Sequence, residues 1–318
     1  MNVNRFFLLG FVLFQCMHAF GQLSDLNYKI YATKTGREIS LQELAADAKN
    51  YDVVIFGEEH NDSVAHYLQI KLLELLYDKY PQRLALSLEM FDRDVQPVMN
   101  EYLMGSIREK NFTKDARVWS NYRDYKPMIE FAKAKKLDVI CANAPSRYTN
   151  LAGRKGQKAL MDLPEVSKKN FAPLPYDTAS GKYYEKLINL TAHSPAPTTV
   201  ADTTKKDTAV KMPIPAMNMG GFNLIMGQSL WDATMAYSIF KYLKKNKEKF
   251  VMHVNGRFHS DEHFAVVTQL KKYNSKLKPL VISAGPDDSF PNMDWSSLKY
   301  LGDYVIITDP KVPRTYEE

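Results

Sequence analysis

Cysteine is scarce in this sequence, which contains only two in 318 residues, Cys16 and Cys141. Cys16 lies in an N-terminal segment that we expect to be cleaved off, which leaves one cysteine and excludes an internal disulfide. The stability of the mature chain must therefore come from apolar burial, for which an apolar fraction of 45% is sufficient. Cys141 stands in an apolar run, where a buried and unreactive thiol is more common than a nucleophile.

The apolar stretch at the N-terminus is too short to span a membrane, since a spanning helix needs about 20 apolar residues. Arg5 precedes an apolar run over residues 6–14, and small residues occupy the two cleavage-determining positions before Gln22. This pattern predicts a secretory signal peptide over residues 1–21 and an exported protein, in the periplasm or at the cell surface. Bulky residues before Cys16 favour ordinary cleavage over lipidation, which would instead tether the protein peripherally to a membrane.

Charge of one sign is not concentrated in any part of the chain. The formal net charge is +6, and it becomes +5 when the signal peptide, which carries Arg5 and no acid, is removed. Nucleic-acid binding would need a basic stripe or a recognised fold motif. The sequence has neither, so we expect no nucleic-acid partner.

Patterns typical of buried strands alternate with helical patterns along most of the chain. Strand-like runs occupy residues 28–31, 53–56, 85–91, 137–145, 250–256, 279–284 and 304–308. The alternation predicts an α/β fold with a mostly parallel sheet that helices cover on both faces. Residues 22–318 are expected to form a single domain.

The regular pattern is lost over residues 151–215, which we interpret as an irregular or partly helical insertion over the sheet edge. Within it, residues 192–215 are rich in Thr, Pro, Ala and Lys and have no periodicity. This composition predicts a flexible loop. A linker between two domains is the alternative interpretation of the insertion.

A polar turn follows the first long strand-like run, where Gly57 is expected to end the strand. Asn61, Asp62 and Ser63 are good N-cap residues for the helix that follows, so Glu58 and His60 fall in a tight strand-to-helix turn. Ligands of open α/β sheets bind at such strand ends. The spacing differs from His-Glu-x-x-His, so the helical zinc site of metalloproteases is excluded.

A second turn has the same pattern as the first. Gly256 follows another apolar run, His259 comes three residues later, and Asp261 then stands at a predicted helix start. Parallel strands would bring His60, His259 and the carboxylates of Glu58 and Glu89 to one edge of the sheet. Two imidazoles with carboxylates suit a divalent metal, iron or acid–base chemistry. The alternative is two capped helices whose histidines bond local backbone groups.

The remaining candidates for this edge are His66, Tyr122, Tyr125, Asn143, Arg147 and Trp231. His66 lies one turn into the first helix, where it could face the crevice. The two tyrosines are more typical of core packing, although tyrosine can ligate haem iron. Trp231 shares a helix face with Met235, which also favours packing.

An ordered set of short motifs resembles the ChaN-type haem-binding uptake family, part of a larger group with Tiki, TraB and the erythromycin esterases. The resemblance covers most of residues 45–275. Its motifs are Gly-Glu-Glu-His-Asn-Asp with a following His and Gln (57–69), Leu-Glu-Met-Phe (88–91), Trp-x-x-Tyr-x-x-Tyr-x-Pro (119–127), Ala-Asn-Ala-Pro-x-Arg (142–147), Leu-Trp-Asp-x-x-Met-Ala (230–236) and Gly-x-x-His-x-Asp (256–261).

The resemblance implies a secreted or surface-anchored α/β protein that binds haem, with a homodimer in which haem groups stack between subunits. It also implies that Glu58, His60, Glu89 and His259 occupy the pocket positions of the family. The sequence departs from the pattern at Phe258, where a smaller residue is expected before the histidine. A bulky ring there would narrow or reshape the pocket.

Three functional hypotheses remain open from the sequence. The first is haem or iron uptake, with a rim tyrosine or histidine as the iron ligand. The second is a metal-dependent hydrolase, in which His60 and His259 hold a divalent ion and Glu58 or Glu89 activates water. The third is a secreted binding protein without catalysis.

Overall fold

The computed structural model describes residues 23–193, 218–219 and 222–317. The predicted signal peptide and nearly all of the predicted loop 192–215 lie outside these residues, so both stay predictions. No helix within the described residues is long and apolar enough to cross a membrane.

Eight strands form one sheet that organises the molecule. They are β1 (Tyr28–Ala32), β2 (Arg37–Ile39), β3 (Val53–Glu58), β4 (Leu84–Asp92), β5 (Val139–Asn143), β8 (Phe250–Gly256), β9 (Pro279–Pro286) and β10 (Tyr304–Thr308), while β6 (Asn218–Met219) and β7 (Phe222–Asn223) pair separately. The spatial order is β2-β1-β10-β9-β3-β8-β4-β5. The six strands from β10 to β5 are parallel, and β1 and β2 add an antiparallel edge.

Helices cover both faces of the sheet, as the sequence predicted. They are α1 (Leu41–Asp47), α2 (Ser63–Lys79), α3 (Gln96–Leu103), α4 (Glu109–Asp115), α5 (Tyr122–Lys135), α6 (Ser146–Met161), α7 (Glu165–Lys168), α8 (Gly181–His193), α9 (Leu224–Lys245) and α10 (Val266–Tyr273). Phe56 of β3 packs in one core with residues of α1, α2 and α5. Ile55 packs in a second core with α9 and α10. Successive residues of a strand face opposite sides, so one continuous apolar run supplies both cores.

The start of α2 is fixed by Asp62, which confirms the predicted cap. Its Oδ1 accepts hydrogen bonds from the backbone N–H groups of Val64 at 2.9 Å and Ala65 at 3.1 Å. Its Oδ2 accepts a bond of 2.7 Å from the Thr308 hydroxyl, at the end of β10. One buried carboxylate therefore satisfies a helix start and ties it to a neighbouring strand end.

Local details differ from the sequence expectation at both glycine turns. Gly57 does not end its strand, because β3 continues to Glu58. Asp261 does not start a helix: two short 3-10 turns follow β8, and α10 begins only at Val266. The backbone at Glu262 and Ala265 has positive φ, which no α-helix accommodates.

The insertion is more regular than the sequence suggested. Helix α6 runs to Met161, although Gly156, at φ 74°, interrupts its helical geometry. Tyr148 and Ala152 of α6 pack in an apolar cluster with Leu230 and Ala233 of α9. The described part of the insertion thus lies on helix α9.

Candidate functional site

The two Gly-x-x-His turns lie side by side at the C-terminal ends of the parallel strands. Strands β3 and β8 are neighbours, and Glu58 is paired with Gly256. A Cβ built on Gly256 would lie 2.8 Å from Nε2 of His60. A Cβ built on Gly57 would lie 2.7 Å from Oγ of Ser260. Each glycine therefore lets the opposite turn approach to within contact distance.

Glu58 is the hydrogen-bonding centre of the first turn, and its side chain is fully buried. Its Oε1 accepts a bond of 2.6 Å from the Tyr125 hydroxyl and lies 2.9 Å from Nδ1 of His60. Its Oε2 accepts a bond from the Gln69 amide and lies 3.2 Å from Nδ1 of His66. Four donors thus occupy a carboxylate that has about four lone-pair sites.

A matching arrangement holds His259 in the second turn. Its Nδ1 lies 2.6 Å from Oδ1 of Asp232, a buried residue of α9. The other oxygen of Asp232 accepts a bond of 2.8 Å from the hydroxyl of Tyr183 in α8. Each histidine is therefore oriented through Nδ1 by a buried carboxylate, and a tyrosine hydroxyl holds each carboxylate.

Glu89, on β4 beside β8, also reaches the cluster and has fewer partners. Its Oε2 accepts a bond of 2.7 Å from the backbone N–H of Gly256. Its Oε1 lies 3.5 Å from Nε2 of His259. Glu89 also acts electrostatically on both His60 and His259, which places all three groups in one charged cluster.

The histidines of the cluster all favour the charged form. Burial acts to lower the pKa of His66, but Glu58 and Asp124 outweigh it and raise this pKa to about 9. Burial likewise opposes charge on His259, and Glu89 with Asp232 raises its pKa to about 9. The pKa of His60 is also raised, because Glu58 and Glu89 outweigh its burial.

Glu58 responds in the opposite direction. Burial alone would raise the pKa of this carboxyl, but His66 and His60 lower it to about 2. The first turn therefore contains a carboxylate and two imidazoles that stabilise each other's charged forms.

His60 is the most accessible titratable group of the cluster. Its side chain is 29% exposed, whereas the side chains of Glu58, His66, Glu89 and His259 are at most 8% exposed. Its Nε2 has no hydrogen bond to another residue in the described part of the chain. The ring of Trp119 meets the imidazole edge-on, with centroids 5.1 Å apart.

Several other predicted residues reach this cluster. Nε2 of His66, in α2, lies 3.1 Å from the backbone oxygen of His60, so His66 holds the backbone of the turn that carries His60. Tyr125 bonds Glu58, as described above. Trp231 meets His259 edge-on at 6.5 Å, and its indole N–H donates to the backbone oxygen of Ala144.

The structure places the remaining candidates outside the cluster. Tyr122 packs in the hydrophobic core against Phe112, so it does not join the cluster. Arg147 forms an ion pair of 2.6 Å with Asp94. Asn143 is buried and accepts a bond from the next backbone N–H, and Asp261 accepts a bond of 3.0 Å from Arg257.

Sequence reasoning assigned no site role to three polar residues that complete the cluster: Tyr183, and Gln69 and Asp232, which stand in the family motifs. Gln69 and Asp232 are polar residues within otherwise apolar helix faces, a pattern that marks buried polar groups with fixed partners. Tyr183 has no such signal, because it comes from the insertion, where the periodicity is weak.

The C-terminal residues brace the first turn from outside, which the sequence did not suggest. The backbone N–H of Thr315 donates a bond of 2.9 Å to the backbone oxygen of Asn61. The guanidinium of Arg314 donates to Oδ1 of Asn61 at 2.9 Å and to Glu59 at 3.3 Å. Because Asn61 follows His60 directly, these bonds restrain the backbone that presents the imidazole.

The described geometry lends no support to the divalent-metal hypothesis for His60 and His259. Within residues 23–193, 218–219 and 222–317, no group of three or more His, Cys, Asp or Glu side chains is arranged to hold a metal ion. Glu58, with all its acceptor capacity in use, is also unsuited to activate water.

Comparison with known proteins gives two matches. A family model described as haem-binding uptake, Tiki superfamily, ChaN matches residues 44–270. The solved structure of cofacial heme binding to ChaN of Campylobacter jejuni is similar in fold, with a TM-score of 0.63 at 14% sequence identity. The alignment covers 90% of this chain and 98% of that chain. No curated protein matches the sequence.

Proposed function

This chain belongs to the haem-binding uptake family of the Tiki superfamily, ChaN, and from that membership we propose that it is an exported protein that binds haem for haem or iron uptake. The family match confirms the resemblance noted in the motifs. The ChaN structure from Campylobacter jejuni, which shares the fold, is of a protein that binds heme cofacially.

The proposed binding place is the crevice at the C-terminal ends of β3, β8 and β4. The observation that carries this proposal is the state of His60: its imidazole is partly exposed, oriented through Nδ1 by Glu58, and without a hydrogen bond on Nε2 among the described residues. Histidine is a common axial ligand of haem iron, and a partner on the second nitrogen fixes its orientation. His60 is therefore the proposed iron ligand.

The aromatic residues around His60 fit this role. Trp119 stands beside the imidazole at the rim, where an indole can flank a flat apolar ring system. Tyr125 is less suited as a ligand, because it is 1% exposed and its hydroxyl donates to Glu58. Burial and Glu58 also raise its pKa far above the ordinary value, which opposes the tyrosinate form that binds iron.

Export and dimerisation are part of the same proposal. The apolar run over residues 6–14 after Arg5 supports export of the mature chain. A cofacial arrangement needs two haem groups face to face, which a homodimer with one haem in each crevice would supply. Sedimentation of the mature protein with and without haemin tests this, and a monomer in both conditions contradicts it.

Haemin titration tests the binding itself. Mature protein, residues 22–318, is titrated with haemin while the Soret band is followed, beside the variants His60→Ala and His263→Ala. His263 is a matched control, because its side chain is 44% exposed and it lies outside the cluster. We expect a saturable Soret shift with native protein and His263→Ala, and a changed spectrum with weaker binding in His60→Ala.

Two results would count against the proposal in different ways. Absence of any Soret shift at micromolar native protein rejects haem binding. An unchanged spectrum and affinity in His60→Ala keeps haem binding but moves the iron ligand away from this turn.

A further inference from the structure

A cavity lies at the far edge of the sheet, away from the proposed haem crevice. It is a groove of about 530 Å³ between α3 and the C-terminal half of α9, with β5 as its floor. Lys245 on its rim lies 13 residues beyond Asp232 along α9, which corresponds to roughly 20 Å of helix. The groove, which we call the edge groove, is large enough for a small ligand.

Arg93 lines the edge groove and is a largely buried cation that pairs with no carboxylate of the described residues. Its guanidinium donates to the hydroxyl of Ser238 at 2.7 Å and to the backbone oxygen of Lys169 at 3.2 Å, and it lies over the ring of Tyr237. No carboxylate forms an ion pair with it among the described residues, and its Nε has no hydrogen-bond partner there. Burial lowers the pKa of Arg93. An unpaired buried charge is unfavourable, so the geometry is that of a cation positioned for an anion.

Two more cations line the edge groove. Lys241 and Lys245 are four residues apart on α9 and therefore share one side of the helix. Neither forms an ion pair with a described residue. Asp138 is the one acid among the described residues that line the groove, and the Tyr242 hydroxyl donates to it at 2.6 Å. Three cations thus face a single carboxylate, and the groove favours negative charge.

The edge groove is closed to an added β-strand, which narrows the choice of ligand. The Gln96 side chain donates to the backbone oxygen of Val139 and accepts a bond from the N–H of Cys141, both at 2.8 Å. Gln96 therefore occupies the edge of β5 as a neighbouring strand would. An extended peptide could not pair there, so a small ligand is favoured.

We propose that the edge groove binds a small multivalent oxyanion, either phosphate-bearing or polycarboxylate, through Arg93, Lys241 and Lys245. The planar guanidinium would pair with two oxygens of the ligand, and the lysines would add charge at the rim. This site does not depend on haem binding, because none of its residues belongs to the crevice.

Calorimetric titration with pyrophosphate and, separately, with citrate tests the proposal. The double variant Lys241→Gln/Lys245→Gln removes two exposed groove charges. The matched control Lys244→Gln/Lys247→Gln also removes two charges near the C-terminal end of α9, but neither of these residues lines the groove. Arg93→Lys keeps the charge and removes the planar fork.

The native protein should bind at least one of the two anions saturably, with one site per chain. The groove pair should weaken that binding by about tenfold, since charge-assisted bonds are among the stronger polar contacts, and the control pair should change it little. Preference for pyrophosphate or for citrate identifies the ligand class. If Arg93→Lys does not fold, the comparison of the groove pair with the control pair still tests whether the anion binds in the groove.

The proposal is overturned if neither anion binds saturably at millimolar concentration. Equal weakening by the groove pair and the control pair also overturns it, because that result reports only general charge. Haemin titration of the groove pair should match that of native protein, which separates failure of this site from failure of the crevice.

Discussion

Gly256→Ala should displace His60 without unfolding the protein. The added methyl carbon would lie 2.8 Å from Nε2 of His60, well inside the 3.4 Å at which ordinary contact begins. The ring must therefore move by about half an ångström or more, which strains the 2.9 Å contact with Glu58. Overpacking of this kind typically costs about 1–3 kcal/mol.

Gly57→Ala gives the matched comparison. Its methyl carbon would meet Oγ of Ser260 at 2.7 Å and the backbone Cα of Arg257 at 2.8 Å. A backbone atom cannot rotate away, so the two turns themselves must separate. We expect a larger stability loss than for Gly256→Ala, toward the upper end of the same range of about 1–3 kcal/mol.

Thermal unfolding and haemin titration together check this reasoning. In a chain of this size each kcal/mol lowers the melting temperature by about 2–4 °C. Gly256→Ala should show a small decrease in melting temperature and a clear loss of haemin affinity, whereas Gly57→Ala should lose more stability. If Gly256→Ala keeps the melting temperature and the haemin affinity of the native protein, the inferred close approach of the two turns is wrong.

The remaining predictions concern the charges and hydrogen bonds that hold the two turns. The pKa of Glu58 is lowered from 4.5 to about 2, so this carboxylate contributes its full stabilisation above pH 4.5 and loses it as the pH falls toward 2. The pKa of His66 is raised from 6.5 to about 9, so this imidazole contributes its full stabilisation below pH 6.5 and loses it as the pH rises toward 9. Urea unfolding should thus show greatest stability between about pH 4.5 and 6.5, and His66→Gln should reduce the loss toward pH 9. Asp232→Asn should lower the pKa of His259, which NMR titration measures. Tyr183→Phe should lower the free energy of unfolding by about 1–3 kcal/mol, because it leaves a buried oxygen of Asp232 without its donor. Arg314→Gln should speed hydrogen exchange at the backbone N–H of Thr315, which donates to the backbone oxygen of Asn61, and leave distant helices unchanged.

The parallel sheet and the meeting of the two turns were predictable from local pattern. Runs such as 53–56 and 250–255 are apolar on both faces, which identifies central parallel strands. Once the strands are parallel, equivalent positions after each glycine must reach the same edge. His60 and His259 therefore meet for reasons that the chain displays locally.

The partners of those histidines were not predictable in the same way. Tyr122 and Tyr125 lie three residues apart at the start of one helix, and only the rotation of α5 decides that Tyr125 reaches Glu58 while Tyr122 packs on Phe112. The bond between Tyr183 and Asp232 joins residues 49 positions apart through packing of the insertion on α9. Such contacts depend on how the helices pack in three dimensions, which the local periodicity of apolar residues does not determine.

The two glutamates of the cluster, alike in the sequence, have different chemical capacities in the structure. Glu58 receives bonds from Tyr125 and Gln69 and lies against both His60 and His66, so a new ligand could bind it only by displacing one of these groups. Glu89 has one short bond, from the Gly256 N–H, and a longer approach to His259. Glu58 is therefore a positioning group that holds the imidazole of His60. Glu89 is the carboxylate with acceptor capacity left for a bound molecule, so chemistry at this cluster would involve His60 and Glu89.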